Sequence, residues 1–324
     1  MCGTYEGKSK VAGYADSLDT YKTWEDLGVK FAGMAPEEIR TVLKDNDNED
    51  IGGEEFLSQE LIIASALGTA FYYVGQKGEE KILSVLKEEG AHKLEKGIDE
   101  AKPYFENVFA YKDTNARVQA NLRSAMLVGA EIAGSKRLLD GLFRAEETLK
   151  EMVEATKYFT NNYFNNQVVP ELQKIVQKIF DNPGISGANV DAEAYKAVRE
   201  ALEKRLKSVP HWRVVANAGA SRGFHYGAIK AGTMTGQTGY EIVAILDKKT
   251  SKICRHMNKK QFWLADGEVQ VSKAAEATGD DIKTVSPWLK DDVITKMTND
   301  ELRQAGFIVP PFHGNCRSTI KFVR

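Results

Sequence analysis

Two short segments near the C-terminal end of this sequence combine cysteine and histidine at close spacing. They cover residues 254–256 (Cys-Arg-His) and residues 313–316 (His-Gly-Asn-Cys). Two thiolates and two imidazoles are a donor set that tetrahedral structural zinc sites use. On a helix the first cysteine and histidine would point roughly 200° apart, so they would converge only on an extended turn. The candidate zinc ligands are Cys254, His256, His313 and Cys316.

A second interpretation gives these residues a structural role without metal. Cys254 would pack in a small core, since a free cysteine behaves as a small apolar side chain. His313 and Asn315 would fasten the neighbouring proline loop by hydrogen bonds to the backbone. The spacing favours this interpretation, so we expect no cofactor, with a structural zinc ion as the alternative.

Nucleophilic catalysis is a third chemistry open to these residues. A thiolate of Cys254 or Cys316 would need a base and an orienting group, and Arg255 and Arg317 would favour the thiolate. No oxyanion hole is evident, however. The second segment is also loosely similar to metal-dependent nucleases, which would require catalytic carboxylates close to His313. We therefore expect no enzymatic activity and assign no catalytic residue.

The densest basic stretch of the chain lies beside the first segment. Such a stretch could contact DNA phosphates, or an acidic partner, without reading base sequence. A solvated turn is the alternative, because no aromatic residue accompanies the stretch until Phe262 and Trp263. The candidate DNA-contacting residues are Lys248, Lys249, Lys252, Arg255, Lys259 and Lys260.

The elements that must position these residues follow a break in the helical pattern at residues 181–184 (Asp-Asn-Pro-Gly). Proline and glycine cannot continue a helix there. After the break, Asp191 can cap a first helix. A second helix over residues 211–231 is rich in alanine and glycine, which predicts close packing against another element.

Strand patterns come after these helices. Residues 240–246 form a β-rich apolar run, and residues 268–272 and 319–323 are two further candidate strands. Residues 191–324 are therefore predicted to form a small α+β unit that its own C-terminal strand closes.

The chain before the break has helical apolar spacing. One helical pattern covers residues 54–101, and Gly75, Gly78 and Gly90 predict that it is divided into several helices. A second helical block covers residues 115–180.

The resulting fold class is α+β, with a mostly helical module over residues 54–183 before the small α+β unit. Residues 1–53 form an N-terminal extension. Within it, residues 45–50 are rich in Asp and Asn but lack the glycine that an EF-hand calcium loop requires, so a plain exposed loop is expected.

Two parts of the predicted α+β unit resemble the C-terminal domain of the Mu F-like phage head morphogenesis proteins. In this family a strand and an Asp-x-x-Thr turn precede a cysteine, as do Asp247, Thr250 and Cys254 here. The family domain ends in a Pro-Pro-x-His-x-Asn-Cys-Arg motif, which residues 310–317 match. The resemblance covers roughly residues 191–324, whereas the preceding module is similar only in being helical.

This chain departs from the family pattern at several positions. Ser251 stands where many members have a second cysteine. Residues 258–259 are Asn-Lys in place of an Asp-Gly or similar pair, and residues 221–222 are Ser-Arg in place of Thr-Glu. These departures bear on any metal site that the family shares.

The resemblance implies a minor head (capsid) protein of a tailed phage or prophage. Such a protein would associate with the portal and procapsid and support head assembly, DNA packaging or DNA delivery. The implied partners are the portal protein and the major capsid or scaffold protein, with non-specific double-stranded DNA as a further candidate. The implied location is the virion, in the head interior or at the portal vertex, after assembly in the host cytoplasm. A toxin-linked relative of the domain is an alternative, although only eight residues follow Cys316.

Composition agrees with a protein that buries a core and works in a reducing compartment. Hydrophobic residues make up 42% of the 324 residues, and no apolar run is long enough to predict a membrane span. The first ten residues lack the apolar segment of a secretory signal. Three widely spaced cysteines argue against a disulfide framework.

Charge is distributed unevenly along the chain. Residues 1–190 contain 22 Lys and Arg against 31 Asp and Glu, whereas residues 191–324 contain 22 against 15. We expect the acidic helical module to dock to protein and the basic unit to face DNA, with ordinary solvated surfaces as the alternative.

Overall fold

The computed structural model describes residues 53–134, 145–207, 209–248, 250–277, 279, 281–285 and 287–323. The loop predicted over residues 45–50, and all but the last residue of the predicted N-terminal extension, lie outside these ranges. Helices dominate the described chain up to the break. They are α1 (Gly53–Glu89), α2 (Leu94–Phe105), α3 (Thr114–Ile132), α4 (Ala145–Tyr163) and α5 (Val169–Phe180).

Two long helices and a small sheet follow the break. The long helices are α6 (Ala188–Leu206) and α7 (Val209–Met234). The strands are β1 (Gly239–Ala244), β2 (Gln261–Trp263) and β3 (Ser318–Val323). The shorter helices between them are α8 (Lys252–Met257), α9 (Leu264–Glu276), α10 (Asp281–Val285), α11 (Asp291–Ile294) and α12 (Asn299–Gln304). The predicted α+β class, a helical part followed by a small α+β part, is confirmed.

Helix α1 runs unbroken through Gly75 and Gly78, so the prediction that these glycines divide it is wrong. Both positions are close helix contacts: a Cβ on Gly78 would lie 2.4 Å from the Phe105 ring, and one on Gly75 would lie 2.2 Å from Leu206 Cδ2. Tertiary packing therefore outweighs the low helix propensity of glycine here. Gly90 does end the helix, with a φ of 92° that suits glycine.

The small residues of α7 allow it to cross α3 at very short range, as the sequence predicts. A Cβ on Gly227 would lie 1.9 Å from the carbonyl oxygen of Met126, and one on Gly129 would lie 1.8 Å from that of Phe224. The two backbones therefore touch at this crossing, and α7 is fixed against the helical part along much of its length.

Asp191 does not cap α6, contrary to the prediction. The helix begins three residues earlier, after Gly187. The Asp191 carboxylate instead accepts a hydrogen bond of 2.7 Å from the backbone N–H of Ala91, beyond the end of α1. It ties α6 to the turn that follows α1.

The three strands form an antiparallel sheet in the order β2-β1-β3. Tyr240 of β1 lies opposite Phe262 on one side and Phe322 on the other, which confirms the first and last predicted strands. Residues 268–272 are wrong as a strand, because they lie within α9. Val271 of this segment, together with Leu264 and Ala275 on either side, is buried on one face of that helix at helical spacing.

One connected cluster of buried side chains spans the described chain. Phe71 of α1, for example, packs on Trp212 of α7 with ring centroids 4.8 Å apart. The sheet joins the same cluster through Tyr240 and Ile320. The division of the chain into a helical module over residues 54–183 and a separate α+β unit over residues 191–324 stays a prediction.

Candidate metal centre

Helix α8 fixes Cys254 just after the central strand. The Ser251 side chain caps this helix and accepts a hydrogen bond of 3.1 Å from the Cys254 backbone N–H. Cys254 is 4% exposed, so its sulfur faces the inside of the fold.

The loop before β3 brings two more donors to the same point. His313 Nε2 lies 2.9 Å from Cys254 Sγ and 2.9 Å from Ser251 Oγ. Cys316 Sγ lies 3.8 Å from Cys254 Sγ. The ligand atoms of Cys254, His313 and Cys316 all lie within 4.8 Å of one another, and we call this group the cysteine cluster.

His256 is not part of the cysteine cluster, so the prediction of four converging donors is wrong for this residue. It lies two positions after Cys254 on α8. Two helical positions rotate a side chain by roughly 200°, which directs His256 away from the cluster. The loop arrangement that would have allowed convergence does not form, because the Ser251 cap starts a helix at that point.

Contacts within the cluster set the protonation of its members. His313 Nδ1 lies 2.8 Å from the carbonyl oxygen of Gly314, and since a carbonyl only accepts, Nδ1 carries a proton. The contact with Cys316, together with the one with His313, lowers the pKa of the Cys254 thiol below its usual range. Burial raises the pKa of the Cys316 thiol, which is 2% exposed.

An ion pair joins the same two segments that carry the cluster. Arg317 donates two hydrogen bonds, of 2.8 and 2.7 Å, to the two carboxylate oxygens of Asp247. Thr250 Oγ1 accepts from the Asp247 backbone N–H at 2.7 Å. Asp247 of the Asp-x-x-Thr turn and Arg317 therefore form one bidentate ion pair, which we call the clamp. The spacing of the sequence did not predict it.

The cluster could hold a metal ion. Two sulfurs bound to one zinc ion at about 2.3 Å in a tetrahedron would lie about 3.8 Å apart, which matches the separation of Cys254 and Cys316. His313 Nε2 and Cys254 Sγ, at the hydrogen-bond distance of 2.9 Å, would have to separate to about 3.6 Å to bind the same ion. Among the described residues, no carboxylate belongs to this group. The nuclease alternative requires carboxylates near His313, and none is part of its group of candidate ligands in the described chain.

The predicted DNA-contacting residues have different surroundings. Lys248, Lys252 and Lys259 are exposed. Arg255 is also exposed, but its guanidinium donates to the backbone carbonyls of Asp247 and Thr250. Lys260 donates to Asn299 at 2.8 Å, and Lys249 lies outside the described residues. Of the six candidates, three solvent-facing lysines without such contacts thus remain, at positions 248, 252 and 259.

No protein-family model, curated protein or solved structure matches this chain. Within the described ranges, no helix has both the length and the apolar character needed to cross a membrane.

Proposed function

We propose that this protein is a minor head protein of a tailed phage or prophage. It acts in the virion, in the head interior or at the portal vertex, after assembly in the host cytoplasm. Its partners there are the portal protein and the major capsid or scaffold protein, and it supports head assembly, DNA packaging or DNA delivery.

The observation that supports this proposal is the meeting of the two segments that resemble the Mu F-like family. They are more than fifty residues apart in sequence, yet the Asp247–Arg317 pair and the Cys254–Cys316 contact join them directly. Residues of a motif with a shared structural role are expected to contact one another in this way.

A structural role rather than catalysis fits the burial of the cysteine cluster. Cys254 and Cys316 are 4% and 2% exposed, so a substrate could not reach either sulfur without opening the fold. A reactive cysteine needs an accessible thiolate. We therefore propose that the cluster stabilises the domain and that the protein is not an enzyme.

We further propose that the cysteine cluster binds one structural zinc ion. Cys254, His313 and Cys316 would supply two sulfurs and one nitrogen, a donor set that suits zinc. Ser251, which contacts His313, or a water molecule would complete four donors. Zinc bound there would join α8 to the loop before β3, and this link would add to the free energy of folding.

Co-expression with the portal, scaffold and capsid proteins of the same phage or prophage tests the assembly role. Procapsids purified by sedimentation should retain the protein, and procapsids made without its gene should assemble or package DNA abnormally. If procapsids never retain the protein and are unchanged without it, the proposal is wrong.

A further inference from the structure

A small cavity lies between α4, α7 and α9, beneath the loop that leads to the cysteine cluster. Its volume is about 30 Å³. A cavity needs roughly 10–15 Å³ to admit one water molecule, so this one has room for a small ligand group. We call it the arginine cavity, and its polar lining comes from Thr156, Arg222, His225 and Gln270.

Arg222 places two unpartnered guanidinium nitrogens at this cavity. Its Nε and Nη2 atoms are inaccessible to solvent and have no hydrogen-bond partner among the described residues. Burial lowers the pKa of Arg222 to about 10, which leaves it charged at neutral pH. Its guanidinium packs over the Phe159 ring at 5.4 Å. The side chain as a whole is only partly buried, but two guanidinium N–H groups that are shut off from water and lack an acceptor are unfavourable, which indicates that an acceptor belongs beside them.

Nε and Nη2, the two unpartnered atoms of Arg222, can donate together to a single ligand. Nε–H and Nη2–H lie on the same edge of the guanidinium and point in parallel, which is the fork that holds two oxygens of a carboxylate or similar oxyanion. Neighbouring polar groups are engaged elsewhere: Thr156 donates to the Met152 carbonyl, and the Gln270 side chain bonds to the backbone of Ile308 and Val309.

His225 supplies a hydrogen-bond acceptor, whereas Arg222 supplies donors. It is 1% exposed, and its Nδ1 lies 2.7 Å from the carbonyl oxygen of Ser221, so Nδ1 carries the proton. Burial lowers the pKa of His225 to about 4, so the ring is neutral at pH 7. Its Nε2 is then an acceptor, and it has no partner among the described residues.

We propose that the arginine cavity binds a small oxyanion that also carries a hydroxyl group, such as hydrogencarbonate or hydrogen phosphate. Two oxygens of the ligand accept from the Arg222 fork, while its hydroxyl donates to His225 Nε2. One helix provides both groups, because positions 222 and 225 are three apart and share a face of α7. This inference is independent of the proposed role in the phage head.

Nitrogen-15 spectra of the arginine Nε–H groups of the full chain test this proposal at constant ionic strength. Two matched pairs of ligands separate the charge from the hydroxyl: hydrogencarbonate against acetate, and hydrogen phosphate against sulfate. The Arg222 signal should shift until saturation as hydrogencarbonate or hydrogen phosphate, the ligands that carry a hydroxyl group, is added. That ligand should bind at least about tenfold more tightly than its partner, because a partner without the hydroxyl leaves His225 Nε2 unsatisfied.

Arg222→Lys keeps the charge and loses the fork, so it should weaken binding by about tenfold or more. Arg199→Lys, on the exposed side of α6, is the matched control and should leave the affinity unchanged. The proposal is overturned if no oxyanion shifts the Arg222 signal saturably, which would mean that the cavity holds water alone. Equal affinities within both ligand pairs, or an unchanged affinity in Arg222→Lys, would also overturn it.

Discussion

The cysteine cluster and the arginine cavity are two polar sites that differ in whether the chain itself provides partners for their polar groups. In the cysteine cluster, Cys254, His313 and Cys316 contact one another and Ser251. Arg222 and His225 line the arginine cavity, and each has solvent-inaccessible atoms without a hydrogen-bond partner among the described residues. The described chain therefore supplies contacts among the groups of the first site even before a zinc ion binds, whereas it supplies none for the unpartnered atoms of the second.

The two sites also depend on different parts of the fold. The cluster forms where a loop before β3 returns to the start of α8, so it depends on chain closure across the sheet. The cavity forms where α7 is fixed against α4 and α9, so it depends on helix packing. A change that moves α7 should affect the cavity more, and a change that loosens the loop should affect the cluster more.

The largest effect should come from Gly227→Ala, because the added Cβ would lie 1.9 Å from the Met126 carbonyl oxygen and α3 and α7 would have to separate. The free energy of unfolding should fall by about 3 kcal/mol, as measured by denaturant melts. The arginine cavity should lose its ligand-dependent Arg222 signal before the cysteine cluster is disturbed. Gly184→Ala, where a Cβ would meet only the Asn182 side chain, is the control and should change little.

Acid should destabilise the helical packing through His225, which is buried, and His211, which is partly buried. Burial, with a contribution from Arg205, lowers the pKa of His211 to about 3, and burial lowers that of His225 to about 4. The unfolded chain takes up these protons near pH 6.5, before the folded chain does. Stability should therefore be full above about pH 6.5 and fall as the pH drops below it, by about 2 kcal/mol per histidine at pH 5.

Urea melts at pH 7.5 and pH 5, with a chelator present to remove any metal, measure this loss. His211→Gln and His225→Gln should each reduce the difference between the two pH values by about 2 kcal/mol. If neither variant changes that difference, the two imidazoles are not held neutral by burial.

A smaller effect should follow from Asp247→Asn, which removes the charge from the bidentate clamp. The Asp247 and Arg317 side chains are 39% and 22% exposed, so solvent screens the pair and the loss should be about 1 kcal/mol. Binding at the arginine cavity should be unchanged. Asp300→Asn, where the carboxylate is 83% exposed and 3.6 Å from Arg303, should have no measurable effect on stability. Equal losses in the two variants would contradict the role of the clamp.

The smallest effect on stability, within about 0.5 kcal/mol, should come from reversing the basic turn with Lys248→Glu, Lys249→Glu and Lys252→Glu together. If this turn contacts DNA, binding of duplex DNA by the full chain should weaken and its dependence on salt should become shallower. Changing the exposed Lys87, Lys93 and Lys102 to Glu alters the net charge equally and should weaken DNA binding much less. Unchanged binding in the first variant would remove the turn from the interface.

Sequence patterns predicted the cysteine cluster better than the arginine cavity, for a physical reason. Soft metal donors at close spacing are rare enough to identify Cys254, His313 and Cys316, and strand propensity identified β1 and β3. His256 was included wrongly because its direction depends on whether residues 252–257 are helical, which the Ser251 cap decides. Arg222 and His225 gave no signal, because a charged residue on a helix usually faces solvent.

Tertiary packing explains the other wrong predictions. Gly75 and Gly78 indicate helix breaks by propensity, but within the continuous helix they lie in close contact with Leu206 and Phe105, where a larger side chain would force its neighbours to move. Residues 268–272 contain two valines, which favour a strand, yet the burial of Leu264 and Val271 on one face places them in α9. Both outcomes depend on residues far away in the sequence.

The most direct test of the structural role assigned to the cysteine cluster is the zinc content of the purified full chain, measured by elemental analysis. We expect close to one zinc ion per chain, lost in Cys316→Ser and retained in His256→Gln, since His256 lies outside the cluster. Protein that is folded but free of zinc, with Cys316→Ser equally stable, would contradict the account. His313 would then act only as a hydrogen-bonding fastener of the loop before β3.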